Sequence, residues 1–332
     1  KTALINGVTD LIVNGNALER LDIKNGRGAV VIHNAGSGNA ASPATSLSFS
    51  LVDANITNFS DANILTDLDV RLWSGATLDK ITSTSLKHLT LTSDHVVGPD
   101  LAGAPNLQKL SMVEMISFSA DLSKVPVAMV DAQASGDVNI VINGANTSFV
   151  GGGYLHDSTV SIVGPALSQS VTFGGGNNNA VLLKSGTYLP GASLNGTSDT
   201  TLKIATATAS SISNYAIPNS LAHGFGQLTL LTTGVADKNQ TINLNSLGHF
   251  DKVYVSSDNT ILQNWSADSL LVLTAPGTSY SVANMVPGGD STLRIVLSKP
   301  DGVLADMNFA SKGIYTQDAT SIEITDTATG FS

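Results

Sequence analysis

Apolar and polar residues alternate over short segments along most of this chain, and turn-forming residues separate the segments. Ser46–Val52 reads SLSFSLV, and Thr292–Leu297 reads TLRIVL. A period of two places every second side chain on the same face of a strand. Helical spacing rarely extends beyond about two turns, and the two candidate helices are residues 60–67 and 101–110. The pattern therefore predicts an all-β protein.

An apolar triplet of the form L-x-x-L-x-L recurs along the chain. It occurs at Leu18, and the copies that begin at Leu65, Leu86 and Leu107 are spaced 21 residues apart; a weaker copy begins at Phe250. One such unit cannot bury its own apolar side chains, but a stack of units can. The repeat therefore predicts a parallel β-solenoid, also called a β-helix, with irregular loops. Tandem β-sandwich domains are the alternative.

Glycine-rich turns change the character of the chain near its middle. Residues 149–157 read FVGGGYLHD, and residues 173–182 read FGGGNNNAVL. We therefore expect a solenoid segment that resembles leucine-rich repeats over residues 1–145, and a second segment with Gly/Asn-rich turns over residues 146–332. One continuous domain is the alternative. Because the chain opens directly into a strand-like sequence, we also expect it to be a fragment of a longer protein.

Charged residues make up only 13% of the chain, about half of what is usual in globular proteins. Polarity comes instead from Ser, Thr, Asn and 31 Gly residues, which favour strands and turns over helix surfaces. The chain contains no cysteine. This composition excludes a disulfide framework, thiol catalysis and cysteine-ligated zinc.

The formal net charge of −10 argues against binding to nucleic acid, which requires clustered basic residues. It also disfavours adhesion to anionic lipid. No apolar run approaches 18 residues, so no membrane insertion is expected. A net negative charge is compatible with the binding of divalent cations, and calcium is the cation that we consider.

The strongest acid/base constellation in the sequence is formed by Asp67, Asp69 and Arg71, which share one face of a strand because they are two residues apart. Trp73 extends the same face. We interpret this face as a solvent-facing polar row. The motifs of serine hydrolases, zinc hydrolases and NTPases do not occur. The expectation is therefore that the protein is not an enzyme.

Histidines offer one further candidate pair. His88 and His95 flank Asp94, an arrangement that could provide a base or a metal ligand. Such residues are more often solvated turn positions, and we interpret them in that way.

Calcium binds six to eight oxygen atoms from carboxylates, amide side chains and backbone carbonyls, which turns rich in Gly, Asn and Asp supply. The candidate metal ligands are Asp157, Asn177, Asn179, Asp258 and Asp290. Part of this set resembles the calcium-binding nonapeptide G-G-x-G-x-D-x-U-x of RTX proteins. Gly174 and Gly175 match its first two glycines, whereas Asn177 stands at the third glycine and Asn179 at the aspartate.

The chain as a whole resembles the surface-layer (S-layer) proteins of Gram-negative bacteria, many of which are exported by type I secretion. The resemblance rests on the composition and on strings such as LKHLTLTSD, SADSLLVLT and SVTFGGGNNNAVLL. It implies self-assembly into a two-dimensional lattice outside the cell, calcium dependence and a location on the cell surface. It also implies anchoring to a cell-surface polysaccharide through a part of the protein outside this chain.

Three other functions remain open at this point. The chain could be an RTX-type adhesin or glycan-binding segment, a β-helix polysaccharide lyase or hydrolase, or a protein similar to phage tailspikes.

Overall fold

Strands dominate the computed structural model, which describes residues 2–14, 18–33, 45–62, 64–164, 167–184, 192–214, 220–257, 259–274, 280–283, 292–298, 314–316 and 319–326. In this described part, 59% of the residues lie in strands and 6% in helices. The chain divides into two compact units. Unit 1 comprises residues 1–164 and 169–177, and unit 2 comprises residues 165–168 and 178–332. The boundary expected after residue 145 lies inside unit 1.

Unit 1 is a parallel β-solenoid. Its described strands are β1 (Thr2–Asn6), β2 (Thr9–Asn14), β3 (Arg20–Lys24), β4 (Arg27–His33), β5 (Ser46–Val52), β6 (Asn55–Asp61), β7 (Asp67–Trp73), β8 (Thr77–Leu78), β9 (Lys80–Thr82), β10 (His88–Ser93), β11 (Val96–Val97), β12 (Asp100–Gly103), β13 (Lys109–Asp121), β14 (Met129–Asn143), β15 (Ser148–Gly151), β16 (Thr159–Val163) and β17 (Ser170–Phe173).

These strands form a larger and a smaller sheet. The larger sheet runs β1, β3, β5, β7, β10, β13 and β14, and it continues from β14 to β15 and β16 and from β15 to β17. The smaller sheet runs β2, β4, β6, β9 and β12, with β8 also paired to β6. The pairings are parallel. The solenoid prediction is therefore confirmed, and the tandem-sandwich alternative, which requires antiparallel sheets, is wrong.

The 21-residue repeat sets the register of the larger sheet. The second position of the triplet is occupied by Leu68, Leu89 and Leu110 in strands β7, β10 and β13, which are directly paired. The same ladder continues on both sides as a buried column that contains Leu47, Leu68, Leu89, Leu110, Val130 and Phe149. Each coil thus buries the apolar residues of its neighbour, as the repeat predicts.

The first copy of the triplet lies in a different register. The sequence pattern equates Leu21 with Leu68, but the structure pairs Leu21 with Phe49, and Phe49 with Val70. A shift of two residues keeps Leu21 on the buried face because side chains alternate with a period of two.

Both candidate helices of the sequence analysis are wrong. Residues 60–67 contain the end of β6 and the start of β7, and residues 101–110 contain most of β12 and the start of β13. In the second segment, the N–H groups of Ala104 and Leu107 donate to the carbonyls three residues earlier. Ala104 and Leu107 are buried in these successive turns, between the buried Leu101 of β12 and the buried Leu110 of β13. The three-residue spacing of buried residues through these turns resembles helical periodicity.

Unit 2 is also a parallel β-solenoid. Its described strands are β18 (Ala180–Leu183), β19 (Ser193–Asn195), β20 (Thr201–Ala205), β21 (Ala222–His223), β22 (Gln227–Leu231), β23 (Thr241–Asn243), β24 (Lys252–Val255), β25 (Thr260–Gln263), β26 (Leu270–Leu273), β27 (Tyr280–Ala283), β28 (Thr292–Leu297), β29 (Ile314–Thr316) and β30 (Ser321–Asp326). One sheet runs β18, β20, β22, β24, β26, β28 and β30, another runs β23, β25, β27 and β29, and β19 pairs with β21.

Two helices interrupt the coils of unit 2, α1 (Thr206–Ser213) and α2 (Leu244–Leu247), and a 3-10 turn spans Val235–Asp237. The buried carboxylate of Asp237 accepts a hydrogen bond from the backbone N–H of Ala207, in the first turn of α1, at 2.8 Å. Its other oxygen accepts bonds from Thr233 and Gly234. An N–H group in the first helical turn has no partner within the helix, so Asp237 serves as a cap supplied by another coil.

The glycine-rich turn after β15 has a packing role. A Cβ atom on Gly152 would overlap the carbonyl oxygen of Gln133 in the neighbouring coil, whereas a Cβ atom on Gly153 would meet nothing within 4 Å. Gly174 approaches the carbonyl of Gly151 in a similar way. At these positions the backbones of two coils come too close for a side chain.

Candidate functional site

The most distinctive surface of unit 1 is formed by the outward side chains of β3, β5 and β7, which we call the outer face. The outward residues of β5 are Ser46, Ser48 and Ser50, and between them Leu47, Phe49 and Leu51 are buried. Strand β5 is paired on one side with β3 and on the other with β7. A row of small hydroxyl residues therefore lies between two strands that carry long side chains.

The two flanking strands carry charges in opposite order. The outward residues of β3 are Arg20, Asp22 and Lys24, whereas those of β7 are Asp67, Asp69, Arg71 and Trp73. The register places Arg20, Ser48 and Asp69 in one row. The next rows contain Asp22, Ser50 and Arg71, and then Lys24, Val52 and Trp73. The prediction that Asp67, Asp69, Arg71 and Trp73 share one face is thus confirmed.

Two charge pairs of the outer face form within single strands. Arg20 Nε lies 2.9 Å from Asp22 Oδ2, and Arg71 Nη2 lies 2.9 Å from Asp69 Oδ2. Both arginine side chains are more than half exposed. Exposed pairs of this kind contribute about 0 to 1 kcal/mol to stability, so they can exchange partners at little cost.

Asp67 lies in a short hydrogen-bonded chain at the start of β7. Its Oδ2 accepts a bond from the Thr66 hydroxyl at 2.6 Å, and its Oδ1 lies 2.7 Å from Nδ1 of His88, the next residue in its row. The Thr66 hydrogen bond and then the His88 bond hold the pKa of Asp67 below its usual value. A general acid for glycoside cleavage needs a raised pKa, so Asp67 is poorly suited to that role.

A surface groove of about 690 Å³ runs along the beginning of β5, β7 and β10. Asp67, Asp69 and His88 line the groove, together with Glu19 and Ser48. The groove exists because the serine side chains of β5 are shorter than the side chains on either side.

Sequence reasoning missed the contact between His88 and Asp67. It grouped His88 and His95 around Asp94 as turn positions, whereas the structure places His88 at the start of β10 and pairs Asp94 with His95, whose Nδ1 lies 2.7 Å from Asp94 Oδ1. The 21-residue spacing could have identified the true partner, because residues 67 and 88 occupy equivalent places in successive coils.

The Asp94–His95 pair joins two neighbouring turns. His95 Nε2 lies 2.7 Å from the carbonyl oxygen of Ala76, and Asp94 Oδ2 accepts the N–H of Ser74 at 3.1 Å. The hydrogen bond with His95, followed by that from Ser74, lowers the pKa of Asp94. Both side chains are therefore engaged in holding the turns together.

The residues predicted to bind calcium occupy different environments. Asp157 has a left-handed backbone with φ of 52°, and its N–H donates to the carbonyl of Asn177 in the adjacent turn at 3.1 Å. The side chains of both residues are exposed. In unit 2, Asn179 is fully buried, and its carbonyl accepts the N–H of Thr201. Asp258 and Asp290 lie outside the described residues.

Asp157 and Asn177 could supply at most three side-chain oxygens to a calcium ion, fewer than the six to eight that the ion takes. Within the described ranges, no group of three or more His, Asp or Glu side chains is arranged to hold a metal. A calcium ion at this turn would therefore need backbone carbonyls, water or ligands from another copy of the chain.

Unit 2 contains two adjoining hollows of about 270 and 290 Å³, both lined by Ser220 and His249. His223 and Asp251 line the second hollow, and Phe250 lines the first. These hollows are small, and a ligand pocket for a small molecule typically has about 300 to 1,000 Å³.

No protein-family model, no curated protein and no solved structure matches this chain. Among the helices that the structure describes, none combines the length and the apolar character needed to span a bilayer. The class that the fold defines is that of the parallel β-solenoids.

Proposed function

We propose that this chain is a structural component of a bacterial surface layer, in which copies associate outside the cell into a lattice with the help of calcium. We propose no catalytic role for it. The observation that carries the proposal is the outer face of unit 1, where hydroxyl residues and internally paired charges cover a parallel sheet. Charges that already have partners, as in the Arg20–Asp22 and Asp69–Arg71 pairs, cost less to bury against a second face than unpaired charges.

The buried residues beneath the outer face favour a role in assembly. Leu47, Phe49 and Leu51 of β5 are at most 2% exposed, and each stacks on apolar residues of β7. A sheet that is fixed from below loses little conformational freedom on association, which reduces the cost of assembly. A lattice protein benefits from surfaces that are already ordered before they meet.

Calcium is part of the proposal because of the acidic balance of the chain. Copies with a net charge of −10 repel one another, and a divalent cation bound between carboxylates reduces this repulsion. The exposed Asp157 side chain at a left-handed turn is one place where such an ion could be shared between copies.

The experiment is a calcium titration from zero to the millimolar range, followed by light scattering and electron microscopy of the purified chain. We expect particles to grow with calcium and ordered sheets to form, and we expect chelation to reverse the growth. A chain that stays monomeric at all calcium concentrations, and that forms no sheets, contradicts the proposal.

An RTX-type adhesin is the second candidate, and the groove over β5 is the observation that favours it, because carboxylates and hydroxyls can accept and donate bonds to sugar hydroxyls. Saturable binding on a glycan array, combined with absent self-assembly, would select this function. Turnover of an acidic polysaccharide that is lost in Asp69→Ala would instead select an enzyme.

A further inference from the structure

We propose that the outer face of unit 1 binds a second copy of this chain across a two-fold axis that runs along β5. The inference rests on the proposed self-assembly and names one surface that carries it. The proposed contact surface consists of the outward side chains of β3, β5 and β7.

The argument begins with the geometry of a face-to-face contact. A two-fold axis that lies in the contact plane along β5 reverses the order of the coils but keeps each row in place. Strand β3 of one copy then lies opposite β7 of the other, and β5 lies opposite β5. Each row of the outer face therefore meets the same row of the partner copy, read in the opposite direction.

This operation brings opposite charges together in two rows. Arg20 of each copy faces the partner's Asp69, and Asp22 faces the partner's Arg71. In the third row Lys24 faces the partner's Trp73, which suits a cation–π contact. Because the operation acts in both directions, each of these three contacts forms twice.

The residues on the axis allow the two copies to approach closely. Ser46, Ser48 and Ser50 meet their own counterparts, and none of them carries a charge. In the contact, the flanking arginine side chains would leave their partners within the strand and turn toward the second copy. The side chains of Arg20 and Arg71 are 57% and 52% exposed, which gives them the freedom to make this change.

Neighbouring axes are less favourable. An axis along β7 would bring Asp69 against the partner's Asp69, and an axis along β3 would bring Arg20 against the partner's Arg20. Like charges that face each other in an interface cost several kcal/mol. The serine strand is therefore the preferred centre of the contact.

Charge reversal provides the decisive experiment. Arg20→Asp places a negative side chain opposite the partner's Asp69 at both copies of this contact. Asp69→Arg likewise places a positive side chain opposite the partner's Arg20. We expect each variant to raise the protein concentration needed for assembly about tenfold or more. The double variant Arg20→Asp/Asp69→Arg restores opposite charges in every copy, and we expect its threshold to return to within a few-fold of the wild-type value.

The matched controls are Asp79→Arg and Lys80→Asp, which make the same changes in charge at exposed positions of the same unit; Lys80 begins β9 of the smaller sheet, and Asp79 directly precedes it. We expect them to assemble like the wild-type chain. Circular dichroism of all variants establishes that they fold.

Tryptophan fluorescence gives a second measurement. The chain has two tryptophans, and Trp265 is fully buried. Assembly should therefore reduce acrylamide quenching of Trp73, and Trp73→Phe should remove this change.

The outcomes separate the two proposals. Single variants that assemble like the wild-type chain, or a folded double variant that stays as weak as the single ones, overturn the contact along β5 but leave self-assembly in place. A wild-type chain that does not assemble overturns the proposed function, and the contact with it.

Discussion

Asp237 is the clearest case in which one side chain stabilises a local structure that the strand pattern does not predict. It is 1% exposed, and four donors from Ala207, Thr233 and Gly234 reach its two carboxylate oxygens. Removing the carboxylate would leave several partly buried N–H groups without their acceptor, and a buried group left without its acceptor costs about 1 to 3 kcal/mol.

We therefore expect Asp237→Asn to lower the free energy of unfolding by about 3 kcal/mol. The amide keeps one acceptor but turns its NH₂ group toward donors. Urea unfolding measures the change. The control is Asp251→Asn, at an exposed position of the same unit, which should change the free energy by less than about 0.5 kcal/mol. Equal losses in the two variants would contradict the capping role.

The pH dependence of stability tests the same carboxylate. Burial by itself raises the pKa of Asp237, but the bonds from Ala207, Thr233 and Gly234 outweigh it, so the folded pKa is lower than usual. The contribution is therefore fully present above the unfolded pKa of about 3.9 and is lost as the pH falls through the folded value. We expect the stability difference between wild type and Asp237→Asn to shrink below about pH 4. A difference that is constant with pH would contradict this assignment.

Gly152 and Gly153 provide a test of the close approach between coils. Gly152→Ala forces its new methyl group against the carbonyl of Gln133, and overpacking of this kind costs about 1 to 3 kcal/mol. Gly153→Ala points into open space and should be neutral or stabilising by up to about 1 kcal/mol. Thermal unfolding of both variants measures the contrast. Equal melting temperatures would show that the turn can relax.

At the scale of the element, each strand of this solenoid is stabilised by the residues that stack above and below it in the neighbouring coils. Leu89 of β10 is buried between Leu68 and Leu110, and its outward neighbour Thr90 lies between Asp69 and Ser111. The buried contacts lie between coils, so each strand depends on both of its neighbours.

We expect Leu89→Ala to lower the free energy of unfolding by about 3 kcal/mol, because truncating a buried leucine removes apolar burial and leaves a cavity. Thr90→Ala changes the adjacent outward position and should alter the free energy by less than about 0.5 kcal/mol. Denaturant titration of both variants gives the comparison. A larger loss in Thr90→Ala would mean that the outer face, rather than the interior column, stabilises β10.

Many strand positions could be predicted from the sequence, and some bounds agree with the structure to the residue, as for the segments Ser46–Val52 in β5 and Thr292–Leu297 in β28. The helix α1 could not be predicted, because its sequence TATASSIS has low helix propensity and Asp237, which caps it, lies 30 residues away from Ala207. Alternation is a local property, whereas this cap is supplied by another coil.

At the scale of the whole molecule, the secondary-structure balance makes a direct prediction. Because strands make up 59% and helices 6% of the described residues, the far-ultraviolet circular dichroism spectrum should be that of a β-sheet protein. The helical signal should be correspondingly small. A spectrum dominated by helix would contradict the solenoid, and with it the stacked rows on which the outer face depends.

The sequence by itself determined the class of fold. Its 21-residue repeat and its period-two alternation specify which side chains must be buried, and parallel stacking of coils is the arrangement that buries them. It also determined that Asp67, Asp69, Arg71 and Trp73 share a face, because that follows from alternation within one strand.

Only the tertiary structure decided which residues of different coils meet. It paired Asp67 with His88, gave Leu21 a register shifted by two residues, and placed the serine row of β5 between oppositely ordered charges. Loops of unequal length separate the coils, so spacing along the chain fixes their registry only where the repeat is regular. The physical reason is that register follows from the packing of neighbouring coils, which a local pattern does not contain.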